Sequence, residues 1–167
     1  MTEITKRKAD MTDAVIVHRI RNAKDVRMLS ENQEFIPYKE HLEFFTKQYK
    51  KYEMILKNEK VVGYIRKEVN DRISIAILPE YRNEGIGKEI LKQLSGNAVI
   101  LLRNEVSLHC FIKAGWNLIG FYLKKDSEGK DTRRGVNLVM KYNLRNHIKK
   151  MNVHNVMKSQ KSLIMMK

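Results

Sequence analysis

The segment ILPEYRNEGIGKEIL holds the residues of this sequence best suited to binding an anion. An apolar run ends at Pro79, a short polar loop follows, and Gly85 and Gly87 fall where a helical pattern begins. A helix start leaves backbone N–H groups without partners, and its dipole favours negative charge. The amides from Arg82 through Asn83, Glu84, Gly85 and Ile86 to Gly87 therefore form a candidate phosphate cradle. Glycine has no Cβ, so phosphate oxygens can come close to the backbone. Arg82 and Lys88 add positive charge. The segment is not a nucleotide P-loop, because the Gly-Lys-Ser/Thr ending is absent. It is not a dinucleotide fingerprint either, which needs three glycines in the frame GxGxxG. Taken alone, a Gly-x-Gly is equally a strand-to-helix turn that uses glycine for geometry.

Groups able to move a proton are few. His41 lies between Tyr38 and Phe45 in a helical pattern, and imidazole titrates in the useful range. The alternative for His41 is a packed helix histidine. Ser74, in an apolar strand, could orient a water, while Glu34, Glu40 and Glu68 have no distinguishing context. Cys110 is the single cysteine, which excludes an internal disulfide and fits a reducing compartment. The five His and one Cys show no metal-ligand spacing, so no metal is expected.

The elements that must position these groups alternate between strand and helix signals. Residues 3 to 8 predict a first strand, and Thr12 with Asp13 a helix N-cap ahead of Ile16, Val17 and Ile20. Pro37 predicts a second helix start, followed by Tyr38, Leu42, Phe45 and Tyr49 on one face. YEMILKNEKVVGYIRKE predicts a hairpin around Asn58 to Lys60, and RISIAIL a strand with Ile73, Ile75 and Ile77 on one side. A helix is expected from Glu84 to Ser95, a buried strand at AVILLR, and a helix after Asn104 with Leu108, Phe111 and Ile112 inward. WNLIGFYLK and GVNLVMKY predict a last hairpin.

With 167 residues, 43% of them hydrophobic, the chain is sized for one domain with a proper core. No apolar run approaches the length of a membrane span, and MTEITKRKAD has no apolar stretch behind it, so neither a span nor a secretory signal is expected and the location is read as cytoplasmic. The net charge of +14 suggests nucleic acid until it is located. Nine of those positive charges and no acidic residue follow Asp131, which leaves +5 for the first 131 residues. Nucleic acid is therefore not expected as a partner of the main domain. Residues 1 to 146 are read as one domain and residues 147 to 167 as a basic, mobile tail.

Two separated motifs turn this pattern into a resemblance. Arg82-x-x-Gly85-x-Gly87 resembles the acetyl-CoA pyrophosphate loop of the GNAT superfamily of N-acetyltransferases. NEVSLHCFIKAGW, with Asn104, Ser107, Phe111, Gly115 and Trp116, is similar to a second signature of that family. The resemblance covers roughly residues 3 to 142 and implies an α/β fold. Its central sheet would be mixed and mostly antiparallel, with six to seven strands, splayed in the middle and flanked by about four helices.

The resemblance also implies roles. Acetyl-CoA would be the co-substrate, its pyrophosphate on the Arg82–Gly87 amides and Lys88. Its pantetheine arm would lie along Ile77 and Leu78, with Asn104, Ser107 and Phe111 near the thioester. Many family members have Tyr in place of Phe111 to protonate the departing thiolate, and Phe cannot donate. A thiolate with pKa near ~8.5 can take that proton from water. The stretch from Val17 to Phe45 resembles members that acetylate nucleotide-linked amino sugars. That implies a sugar pocket using Asn22, Tyr38, His41 and Phe45 as hydrogen-bonding and stacking groups; Ser74 joins the expected acceptor contacts, and His41 is the candidate base, on the residue reading above. A small-molecule amine, including a nucleotide sugar, is thus the expected partner, and a homodimer is compatible with the sequence. A protein N-terminal acetyltransferase and a non-catalytic acyl-CoA-binding module are the alternatives.

Overall fold

The computed structural model describes residues 3–30, 32–125 and 131–140, with side chains up to Gly120. The basic tail expected at 147 to 167 lies outside the described residues. The chain forms two compact units, Met1–Gly87 and Lys88–Lys167.

The first unit is a four-stranded sheet in the order β1-β2-β3-β4, from β1 (Ile4–Lys8), β2 (Tyr52–Lys57), β3 (Lys60–Lys67) and β4 (Ile73–Ile77). Asn58 and Glu59 close the β2–β3 hairpin at φ 47° and 67°, the left-handed pair that suits the twist of a two-residue turn. Three helices follow β1 before the sheet resumes: α1 (Ala14–Asn22), α2 (Lys24–Met28) and α3 (Tyr38–Gln48). The capping box belongs to Asp10 and Asp13 around a short 3-10 turn, one step ahead of the expected Thr12–Asp13 cap. Asp13 is buried beneath a bidentate Arg7, with both N–O distances 2.7 Å. Ala14, Val17 and Ile20 form the buried stripe of α1, and His41 and Phe45 that of α3. They pack with Tyr52, Met54 and Tyr64 of the sheet. Helix α2 has no buried residue, so it leaves no apolar stripe from which to predict it.

The second unit holds β5 (Asn97–Leu101), α5 (Glu105–Lys113), β6 (Trp116–Lys125) and β7 (Asp131–Met140), its sheet ordered β5-β7-β6. Helix α4 (Ile86–Lys92) runs across the boundary and is shorter than the expected 84 to 95. Asn83 and Gly85, at φ 62° and 81°, hold off its start. At the other end Gln93 N–H and Leu94 N–H bond back only three residues, to Ile90 and Leu91, the tightening that ends a helix. Phe111 is buried on α5, whereas Ile112, expected inward, is 43% exposed.

The expected single mixed sheet is corrected to a four-stranded and a three-stranded sheet, and all five strand pairings are antiparallel. Apolar runs mark strands but do not name their neighbours. Here β7 pairs on both sides, with β5 and β6, and so completes its own sheet. Five α-helices are described rather than about four.

Gly63 fixes how closely β3 and β4 approach. A Cβ there would stand 2.5 Å from the Ala76 carbonyl oxygen and 3.1 Å from Ile77 Cα, both backbone. Gly63→Ala is expected to cost about 1–3 kcal/mol, the range for forced overpacking, as a lowered midpoint in urea unfolding. An unchanged midpoint would show that the two strands can separate freely.

Candidate functional site

The loop after β4 is built as a sequence of tight turns. Leu78 N–H bonds to Val62 O at 2.9 Å, Pro79–Tyr81 form a 3-10 turn, and Arg82 returns to extended backbone. Left-handed Asn83 and Gly85 then aim the chain into α4. No atom lies within 4 Å of a Cβ built on Gly85, so one side of the turn is open. Ile86 is buried and anchors the helix start, while Asn83, Glu84, Gly85 and Lys88 are exposed.

The charges of this loop are already partnered, which sequence reasoning missed. Arg82 donates from Nε to Ile77 O at 2.9 Å and from a terminal nitrogen to the Asp25 carboxylate. Burial would push the Asp25 carboxyl up, but the bond and charge of Arg82 outweigh it and hold the carboxyl below its ordinary value. Glu84 accepts from Lys57, whose ammonium also sits 5.8 Å over the Tyr81 ring. Arg82 therefore braces the loop to α2. Such an anchor had no local signal, since Asp25 and Arg82 are far apart in sequence.

His41 is corrected from catalytic base to core residue. It is 4% exposed, and its Nε2 lies 3.0 Å from the Ala14 carbonyl oxygen. Burial lowers its pKa, the Ala14 bond opposes this, and nearby His18 lowers it further. Phe45 is 0% exposed and stacks on His41 with ring centroids 5.6 Å apart, so it offers no face to a substrate. Asn22 is committed to Ile36, bonding both its N–H and its carbonyl at 2.9 Å. Tyr38 and Ser74 are solvent-facing. These residues share the first unit, but only the latter two can meet a ligand as they stand.

In the second unit Asn104 caps α5, its side-chain oxygen accepting from Ser107 N–H at 3.2 Å. Phe111 is buried and meets Trp116 edge-on at 4.8 Å, and Trp116 Nε1 donates to Leu91 O at 3.1 Å. Burial raises the Cys110 thiol pKa, against Lys88 and Lys113, which leaves it a poor nucleophile. Among the described residues no cluster of His, Cys, Asp and Glu could hold a metal, and no helix is long and apolar enough to cross a membrane.

Comparison with known proteins fits this arrangement. Residues 49–126 match the family model described as acetyltransferase (GNAT) domain. The fold resembles that of a GNAT-family acetyltransferase from Bacillus anthracis, with TM-score 0.70 and 18% identity over 84% of this chain and 96% of the other. An acetyltransferase from Salmonella typhimurium, solved with its cofactor acetyl-CoA, gives 0.63 and 16% over 81% and 92%. Spermidine N-acetyltransferase from Vibrio cholerae, solved with CoA and spermine, gives 0.64 and 13% over 81% and 93%. No curated protein matches the chain. Residues 49–126 thus match a GNAT acetyltransferase domain, and the described residues share the fold of solved GNAT acetyltransferases.

Two outcomes test the site. A histidine whose pKa is lowered on folding binds fewer protons than the unfolded chain, so stability falls as pH drops below the unfolded value near ~6.5. His41→Gln should flatten that part of a melting-temperature profile between pH 7 and 5; an unaltered slope would remove His41 from the explanation. Asp25→Asn should raise the KM for acetyl-CoA severalfold by loosening Arg82, and Asp25→Glu should restore most of it. Equal effects of both variants would mean that the carboxylate is not what matters.

Proposed function

We propose that the chain acetylates a primary amine of a small molecule by direct attack in a ternary complex, with a nucleotide-linked amino sugar as the acceptor class implied by resemblance. The observation that carries the reading is the open Gly85 turn at the start of α4, inside the span that matches the acetyltransferase domain. Asn83 to Gly87 would offer amides to the pyrophosphate and Ile77 its backbone to the pantetheine arm, beside Leu78, whose own N–H is taken by Val62 O. Gly85 fits this use because only an open, left-handed position lets a phosphate reach the backbone unobstructed.

In the transfer the amine nitrogen attacks the thioester carbonyl carbon. The N–C bond forms, the C–S bond breaks, and the proton shed by nitrogen is taken up by water or by the thiolate. With His41 buried, deprotonation of the amine falls to solvent rather than to a dedicated imidazole. Asn104 and Ser107 keep a proposed role at the thioester end, though each is also occupied in capping α5. Phe111 takes the place where the family pattern often has the thiolate acid.

Acetyl-CoA with a panel of primary amines, read as released thiol and as acetylated product, tests the reading directly. Turnover by the full chain is expected, and Gly85→Val should raise the KM for acetyl-CoA tenfold or more. A β-branched residue in the left-handed region costs about 1–2 kcal/mol of strain and also covers the turn. Wild-type affinity in that variant would separate the loop from the coenzyme. Phe111→Tyr should raise turnover if thiolate protonation limits the rate; loss of folding would show that the para position is sealed against Trp116.

A further inference from the structure

A turn that receives a polyanion is poorly served by acidic side chains, yet Pro79 to Gly87 carries two, Glu80 and Glu84, against the single cation Arg82. Each of the three is paired with a side chain from elsewhere in the first unit. Arg82 bonds Asp25 of α2, Glu80 lies 3.0 Å from Arg19 of α1, and Glu84 accepts from Lys57 at the end of β2. The two acids are not equivalent. The side chains of Glu80 and Arg19 are 46% and 64% exposed, an open surface pair of little electrostatic weight, and Glu80 precedes the turn. Glu84 stands between left-handed Asn83 and left-handed Gly85, next to the position where a Cβ would meet nothing. We propose that Lys57 is a positioning residue of this loop: it draws the Glu84 carboxylate toward β2 and cancels its charge, which lets a polyanion settle on the Gly85 turn. The proposal rests on the reading of that turn as the phosphate site of the coenzyme.

The placement of Lys57 follows from strand register. It lies two residues beyond Ile55, whose row runs through Gly63 to Ile77, the last residue of β4. Lys57 thus ends β2 at the edge from which the chain leaves β4 for the turn. Its ammonium sits 5.8 Å over the ring of Tyr81, and that ring packs against the apolar core of the first unit. A cation over an aromatic face gains a fixed seat without giving up its charge. The side chains of Lys57 and Glu84 are 23% and 37% exposed, so salt screens this pair less than it screens Glu80 and Arg19. Unpaired, a carboxylate one residue from Gly85 repels an incoming phosphate; paired, most of its field is cancelled. Lys57 acts through Glu84, from a seat that Tyr81 anchors.

The test measures the dissociation constant of coenzyme A by calorimetry on the full chain, in wild type, Lys57→Met, Glu84→Gln and the double variant. Lys57→Met keeps the stem and removes the charge; it is expected to weaken binding roughly 5- to 10-fold, the scale of one uncancelled unit charge close to a phosphate. Lys57→Gln serves if Lys57→Met lowers the melting temperature. Glu84→Gln alone should bind at least as tightly as wild type. The double variant should bind like Glu84→Gln, because no carboxylate is left to neutralise. The loss in Lys57→Met should shrink as salt is raised, Lys57→Arg should keep the affinity, and Arg19→Ala should bind as wild type does. Wild-type affinity in Lys57→Met, an equal loss in Arg19→Ala, or a double variant as weak as Lys57→Met overturns the proposal; the last result makes Lys57 a direct ligand of the phosphate. None of these outcomes touches the acetyl-transfer reading. If wild type does not bind coenzyme A, titration with inorganic pyrophosphate followed by NMR separates the two readings. Shifts at Asn83 to Gly87 that weaken in Lys57→Met and return in the double variant uphold the role of Lys57 while the coenzyme reading falls; no shifts there sink both.

Discussion

One guanidinium holds the turn out of the first sheet. Arg82 bonds the carbonyl of Ile77, the last residue of β4, and at the same time the carboxylate of Asp25 on α2. The chain between Ile77 and Ile86 has little apolar burial of its own beyond Leu78, and it includes a non-glycine residue, Asn83, in the left-handed region. A loop of that kind keeps one shape only if its ends are tied. Arg82 supplies the tie, and Leu78 N–H to Val62 O supplies a second from β3. The cation that sequence reasoning gave to the phosphate is spent on the protein.

The same economy governs the helical cover of the sheet. His18, Tyr38, His41, Phe45, Tyr52 and Tyr64 form a chain of ring contacts, with Phe45–Tyr52 and Tyr52–Tyr64 both at 5.3 Å. Such rings gain from burial and from edge contacts. A histidine drawn into them becomes a packing residue, its pKa lowered by burial. Tyr64 shows the same pressure, its phenol pushed up to about 12 by burial. Polar chemistry resumes only at the pair Arg66 and Ser74, where the ring chain ends.

The turn into α4 is likewise a matter of backbone, set by two left-handed residues, Asn83 and Gly85, and a helix start. The fold is shared with structural relatives at 13–18% identity.

Periodicity alone determined most elements: β1, the β2–β3 hairpin, β4, α1, α3 and α5 lie where alternation and caps put them. Gly85 marked the loop because glycine at a left-handed strand-to-helix turn is a local requirement, readable without neighbours. Contacts between distant residues were not readable. Asp25 with Arg82 and Arg66 with Ser74 involve partners that a sequence window does not bring together. The same limit left the two readings of His41 undecided and hid the commitment of Asn22 to Ile36, since a polar residue on a helix gives no sign of what will cover it. Sheet membership was decided the same way. An apolar strand can pair with any edge, and only the folded chain, by giving β7 both β5 and β6, fixed two antiparallel sheets in place of one.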